Sequence, residues 1–178
     1  INTLPTPVFL NSCLDLPLDY REKLRKIRYC SAVDCTFGTL DFLGKDYWMN
    51  LLGEDVHTLF QHSVLFDGYE DKVGWVLRYG SSEEDFCLSD EEIWKKYSKP
   101  ILKYFPEAKF KWFRVFRERY ASPIYDKNYS RFKPDYKTPL KWLYNAGVAV
   151  SYPEIRNMNT ALKSGLRVAK LIRKDFSE

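Results

Sequence analysis

Arg114, Arg117 and Arg119 sit close together in residues 109–120, a stretch that alternates basic and apolar side chains. Guanidinium groups at that density are candidates for binding an anionic substrate, although a solvated strand face is the simpler account. Alternation places Arg117 and Arg119 on one face and Arg114 with Glu118 on the other. His57 and His62 follow a Gly53-Glu54-Asp55 turn and a strand-like run, and neither is assigned a catalytic duty. Cys13, Cys30, Cys35 and Cys87 form no Cys-x-x-Cys pair and lack a nearby histidine, so they read as reduced structural thiols and no metal site is expected. Glu83-Glu84-Asp85 and Asp90-Glu91-Glu92 fall in a loop and a helix start, where the helix dipole favours acids, and offer no general acid/base pair. The catalytic residues therefore stay unknown from this reading.

The elements that must position these groups follow from periodicity and turn residues. Prolines at 5, 7 and 17 punctuate a short strand at Val8-Phe9-Leu10, before a helical turn or two from Asp19 to Leu24. Ile27 to Leu43 suits two strands with a kink near Gly38. Further strands are expected at Tyr47–Leu52, Leu59–Val64 and Val73–Tyr79, set off by Gly53, Asp67-Gly68 and Gly80, which implies an antiparallel sheet. Ser89 with Glu92 forms a capping box at the head of a helix that buries Ile93, Tyr97, Ile101 and Leu102. Lys109–Tyr120 is a long strand, 121–139 a crossing loop, Leu143–Val150 a final strand, and Asn157–Phe176 a final helix. Ala161, Leu162, Leu166, Ala169, Leu171 and Ile172 are that helix's expected packing residues. The fold class is α+β: a mixed, mainly antiparallel sheet of about five to seven strands with helices on one side.

At 178 residues and 45% hydrophobic content the chain can build a true core, and 17% aromatic content supplies rings with polar handles. Tyr29, Trp48, Trp75, Tyr79 and Trp112 are either core or the lining of a ligand cavity. The 28 basic and 24 acidic residues are interspersed, so no nucleic-acid partner is expected. No apolar run is long enough for a transmembrane segment, and a cytoplasmic protein is expected. The sequence starts without Met inside what reads as a structured segment, as an excised portion of a longer protein would.

The most specific stretch is the tail: Thr138-Pro139, Leu143-Tyr144-Asn145-Ala146-Gly147, Tyr152-Pro153, then Met158-Asn159-Thr160-Ala161 and Ser164-Gly165. It resembles the closing motif of FAD-dependent amine oxidases, phytoene desaturases and protoporphyrinogen oxidases. Arg114–Pro123 resembles the strand leading into the last crossing of that fold, and Asn2–Pro7 its Thr-x-Pro entry to the substrate domain. A fainter similarity links Asn157-Met158-Asn159 to UDP-galactopyranose mutases. Val148 and Thr160 depart from the acid after Ala-Gly and the Gly-Ala at the helix start that many members carry. The Gly-x-Gly-x-x-Gly turn that cradles a dinucleotide pyrophosphate is not in the sequence.

The resemblance implies that residues 1–140 form a substrate-binding domain and 141–178 a flavin-contacting strand and helix, with the N-terminal dinucleotide-binding part absent. It places Gly147 and Val148 near FAD, and Asn159, Thr160 and Ala161 at a helix start facing the flavin ring, with Gly165 allowing close helix packing. Arg117, Arg119 and Tyr152 are the expected substrate contacts. The implied activity is that of a flavin-dependent oxidoreductase acting on a small molecule, with the 178-residue portion alone inactive and holding little or no FAD. The missing FAD half of the same polypeptide, or a second copy in a homodimer, would complete it. The alternatives are a sugar-nucleotide mutase and a noncatalytic β-rich binding domain.

Overall fold

The computed structural model describes residues 1–66, 68–80 and 83–177, so the Asp67 half of the expected Asp67-Gly68 turn lies outside the described residues. Among the described residues, six α-helices and five β-strands alternate irregularly. The strands β1 (Tyr29–Thr39), β2 (Trp48–Asn50), β3 (Thr58–Gln61), β4 (Lys72–Tyr79) and β5 (Phe110–Pro123) form one sheet in the order β2-β3-β4-β1-β5. Pairs β2·β3, β3·β4 and β1·β4 are antiparallel, which bears out the α+β expectation.

The chain forms two compact units, Ile1–Cys30 with Tyr120–Glu178, and Ser31–Arg119. Residues 141–178 share the first unit with 1–30 and 120–140. In the second unit, Val33, Cys35 and Phe37 of β1 point to the same side as Leu59 and Val76 and pack against Ile93, Tyr97 and Ile101 of helix α4 (Asp90–Tyr104). Helix α4 starts as the sequence indicates. The Ser89 hydroxyl accepts the Glu92 N–H at 3.2 Å, and the Glu92 carboxylate accepts the Ser89 N–H at 2.8 Å. A short helix α3 (Glu83–Cys87) occupies the expected loop and buries Asp85.

In the first unit, Phe9, Leu10, Leu16, Tyr20, Leu24, Ile27 and Tyr129 make the core. Helix α1 (Thr6–Ser12) replaces the strand expected at Val8-Phe9-Leu10. Pro5 and Pro7 cause the difference: proline in a first turn loses no intrahelical hydrogen bond and its fixed φ suits a helix start. Helix α2 (Leu18–Arg25) is where its pattern put it. The other departures share a cause, since partners distant in sequence decide them. Residues 143–150 make only isolated bridges, Lys137 with Tyr144 and Asn2 with Asn145, followed by a 3-10 turn at Val148–Val150. The crossing loop contains the end of β5 and helix α5 (Tyr129–Phe132). One unbroken strand covers Tyr29–Thr39, where Gly38 makes no kink but leaves the space taken by the Trp112 ring, 2.3 Å from where a Cβ would lie.

Helix α6 (Met158–Phe176) is present, but its packing face differs from expectation. Thr160, Ser164 and Val168 are buried, whereas Met158, Leu162, Leu166 and Phe176 are 87%, 64%, 57% and 65% exposed, and Ala161, Gly165 and Ala169 are exposed beside them. No neighbour lies within 4 Å of where a Cβ on Gly165 would sit, so the close packing expected there does not occur within this chain. The small polar face is buried because hydroxyls can satisfy loop backbone groups, as Ser164 does below. The apolar stripe is left to solvent.

Candidate functional site

Two constellations carry the chemistry, one in each unit. The first is built on the tail. Asn145 is buried, and its amide donates to the Tyr20 hydroxyl at 3.1 Å and the Asp135 carbonyl at 2.9 Å, while its oxygen accepts from Asn2 at 2.9 Å. Those bonds hold the chain for Gly147, whose φ of 103° and ψ of −166° only glycine adopts readily. Its N–H donates to the Ser164 hydroxyl at 2.8 Å, which ties the loop to α6. Tyr125 and Tyr129 then donate to the carbonyls of Val148 and Ala149 at 2.6 and 2.7 Å, and both rings pack against Tyr152. Burial raises both phenol pKa values, which keeps the hydroxyls as donors.

At the head of α6, the Asn157 side chain accepts the Thr160 N–H at 2.8 Å, and the Thr160 hydroxyl donates to the Ile155 carbonyl at 2.9 Å. Thr160 is thus committed inward, while Asn159 and Ala161 are exposed. The N–H groups of Met158 and Asn159 have no hydrogen bond among the described residues and lie at the positive end of a 19-residue helix. Space within 4 Å of a Cβ on Gly147 is also open. A strained glycine with open space beside it and a helix start with free donors fit the electron-rich edge of a planar cofactor. Tyr125 and Tyr129 were not identifiable as contributors from the sequence, because their role is to hold backbone 20 or more residues away.

The second constellation is the sheet face turned away from α3 and α4. Register aligns Trp48, Phe60, Trp75 and Thr36 in one row across four strands, and Asn50, Thr58, Leu77 and Asp34 in the next. The Phe60 and Trp75 rings stack at 3.8 Å between centroids, and Trp48 meets Phe60 at 4.7 Å. Trp112 belongs to this face through its contact with Gly38, whereas Phe110 packs on Phe37 and Trp94 on the helix side. An irregularity near Lys111 therefore separates two rings that simple alternation puts together. Of the cavity-lining candidates, Trp48, Trp75, Tyr79 and Trp112 are on this face. Tyr29 is in the other unit, with its hydroxyl bonded to Thr6.

Arg117 and Arg119 are not on that face. Arg117 donates to the Asp90 carboxylate at 2.6 Å and the Leu88 carbonyl at 2.9 Å, and Arg119 holds Glu83 at 2.6 Å with its guanidinium over the Phe86 ring. Both guanidinia are engaged in tying β5 to the helical layer.

Asp34 is the group on the sheet face that the sequence reading passed over, since it occupies the polar phase of an apolar strand. The Thr36 hydroxyl donates to one of its oxygens at 3.0 Å, and burial pushes its carboxyl up to about 6. A folded-state value above the unfolded one means that the folded protein holds this proton more tightly. Ionised Asp34 therefore costs stability above pH 6, and the cost vanishes below about pH 4. Asp34→Asn should stabilise the chain at pH 8 by about 1–3 kcal/mol and leave it unchanged at pH 4. Equal urea midpoints for both proteins at pH 8 would show that Asp34 is solvated instead.

The family model for flavin containing amine oxidoreductases matches residues 1–173. The chain belongs to that family. Solved structures of similar fold include a protein from Exiguobacterium sp. 255-15 assigned as a protoporphyrinogen oxidase (13% identity, TM-score 0.68, covering 99% of this chain and 40% of that one). A reduced UDP-galactopyranose mutase aligns at 12% identity and TM-score 0.75 over 99% of this chain and 42% of its own. A putrescine oxidase bound to putrescine aligns at 17% identity and TM-score 0.65 over 97% and 42%. The chain thus spans about two fifths of the length of these structures. No curated protein matches the sequence significantly. Among the described residues, no cluster of His, Cys, Asp and Glu suits a metal ion, and no helix is long and apolar enough to cross a membrane.

Proposed function

We propose that this chain is the substrate-side and flavin-closing part of an FAD-dependent oxidoreductase acting on a small molecule. The observation that carries the reading is Gly147, in a glycine-only conformation, tied to the second turn of α6 through the Ser164 hydroxyl, with the capped start of that helix otherwise open. FAD, when bound, supplies the hydride acceptor. The chain's own groups do the placing: the backbone at Gly147 and Val148 admits the ring, and the free N–H groups of Met158 and Asn159 favour its electron-rich edge. The sheet face of Trp48, Trp75 and Trp112 supplies an apolar wall for the substrate, in the role expected of residues 1–140.

The exposed apolar stripe of α6 is the surface on which the rest of the polypeptide would close. Length favours that occupant, because the similar structures have more than half of their chain outside the matched region. On this proposal the portion alone lacks activity and bound FAD, and a homodimer through the stripe is the competing arrangement. The four free thiols agree with a reducing, cytoplasmic setting. The engagement of Arg117 and Arg119 leaves only Arg114 of that arginine group for an anionic sugar nucleotide, so the mutase reading gains no specific support.

The test is a flavin spectrum of the chain extended through its natural upstream coding sequence, beside the 178-residue chain alone. The expected result is a yellow extended protein and a colourless short one. Two colourless proteins after FAD addition would put the noncatalytic binding-domain reading ahead.

A further inference from the structure

Strand β5 ends the sheet, with β1 as its strand neighbour on one side and an open edge on the other. Two side chains mark which residues turn their backbone to that edge. The Phe113 carbonyl accepts from the Arg114 guanidinium and the Ala121 carbonyl from the Arg156 guanidinium, both at 2.8 Å, whereas the Ile124 N–H donates at 2.8 Å to the Arg28 carbonyl just before β1. The two-residue period of a strand then turns Val115, Arg117 and Arg119 outward together with Phe113 and Ala121. Among the described residues, Val115 and Arg117 make no backbone hydrogen bond beyond the sheet. No proline from 110 to 122 blocks the edge, so it is a template for another strand. Alternation from Trp112 puts Arg114, Phe116 and Glu118 on the open sheet face, where both charges are exposed and the Phe116 ring is 59% exposed.

An antiparallel partner strand sets outward residues against outward residues, so a copy related by a two-fold axis can take only a few registers. An axis at Arg114, Arg117, Glu118 or Arg119 lays a charged side chain on its own counterpart, and an axis at Val115 lays Lys111 on the partner's Arg119. An axis at Phe116 pairs opposite charges: Arg114 meets the partner's Glu118, Glu118 meets the partner's Arg114, and the two Phe116 rings meet each other. Val115 and Arg117 then exchange backbone hydrogen bonds across the axis. We propose that β5 is the contact between two copies of this chain, paired antiparallel about a two-fold axis at Phe116 so that two five-stranded sheets become one. A strand N–H of the partner takes over the Phe113 carbonyl, which releases Arg114 for the partner's Glu118. Backbone bonds and the Phe116 rings supply the affinity, and the exposed ion pairs choose the register. The inference does not depend on the flavin reading, because it uses β5 alone, and it leaves the α6 stripe to the rest of the polypeptide.

The experiment is sedimentation velocity of the extended, full-length protein over a concentration series, for the native chain, Arg114→Glu, Glu118→Arg and the double variant carrying both. The native chain should dimerise. Each single reversal sets like charges together on both sides of the axis and should weaken the dimer about tenfold or more, while the double variant restores both pairs with the signs exchanged and should return to within about threefold of native. Oxidised Phe116→Cys should give a disulfide-linked dimer, because the axis brings position 116 to within a strand spacing of itself, and the native chain with its four free thiols is the control. A monomer at every concentration overturns the proposal and gives the edge to the upstream segment. A dimer that the single reversals leave unchanged overturns it in favour of the α6 stripe. A double variant no better than the singles, or no cross-link at position 116 beyond that of the native chain, also overturns it.

Discussion

Asp85→Ala should lower the unfolding free energy by about 3 kcal/mol, at the lower end of what breaking a buried ion pair costs. Asp85 has no exposed surface, and its carboxylate takes the Lys96 ammonium at 2.7 Å and lies 3.8 Å from the Arg78 guanidinium. Helix α3 carries Asp85, α4 carries Lys96 and β4 carries Arg78, so a single carboxylate joins both helices to the sheet. The figure is kept low because Lys96 and Arg78 are each about a quarter exposed and can turn to water once the acid is gone. Urea unfolding measures the loss, and Lys96→Met in the same background separates its cause. If the charge pair matters, the double variant should lose less than the sum of the two single variants. A loss under about 1 kcal/mol for Asp85→Ala would mean that apolar contacts alone hold the helical layer.

Gly147→Val in the extended protein should reduce bound flavin to under about a tenth of the native content, because forcing a β-branched residue into this backbone region costs on the order of 1–3 kcal/mol. Relief of that strain would also pull the N–H of residue 147 away from the Ser164 hydroxyl and move the loop off α6. Gly53→Ala is the control. Gly53 also has positive φ, at 78°, but it belongs to a turn in the other unit, so its substitution should cost about 1 kcal/mol of stability and keep the flavin. Native flavin content in Gly147→Val would remove Gly147 from the cofactor site, whereas equal loss in both variants would point to general destabilisation.

Local signals carried most of the elements. The Ser89–Glu92 capping box and the strand patterns at 59–64 and 73–79 lie within short windows, and the structure follows them except at His62–Val64, which is a 3-10 turn. Failures came where a distant partner decided the outcome. Leu143–Val150 has a strand's apolar pattern, yet its backbone groups go to Asn2, Tyr125, Tyr129 and Ser164, none of which a short window contains. Helix α6 shows the converse, since periodicity finds its apolar stripe but not whether this chain or another surface covers it.

The sequence by itself determined the family, through the ordered tail from Thr138 to Gly165, and the α+β class, because turn residues and side-chain period act over a few positions. Only the tertiary structure decided which side chains share a face. It turned Arg117 and Arg119 toward Asp90 and Glu83, and aligned Asp34 beside the Trp48–Phe60–Trp75 row. The physical reason is strand register: a one-residue slip sends every side chain of a strand to the opposite face, and register is set by packing between segments far apart in the chain.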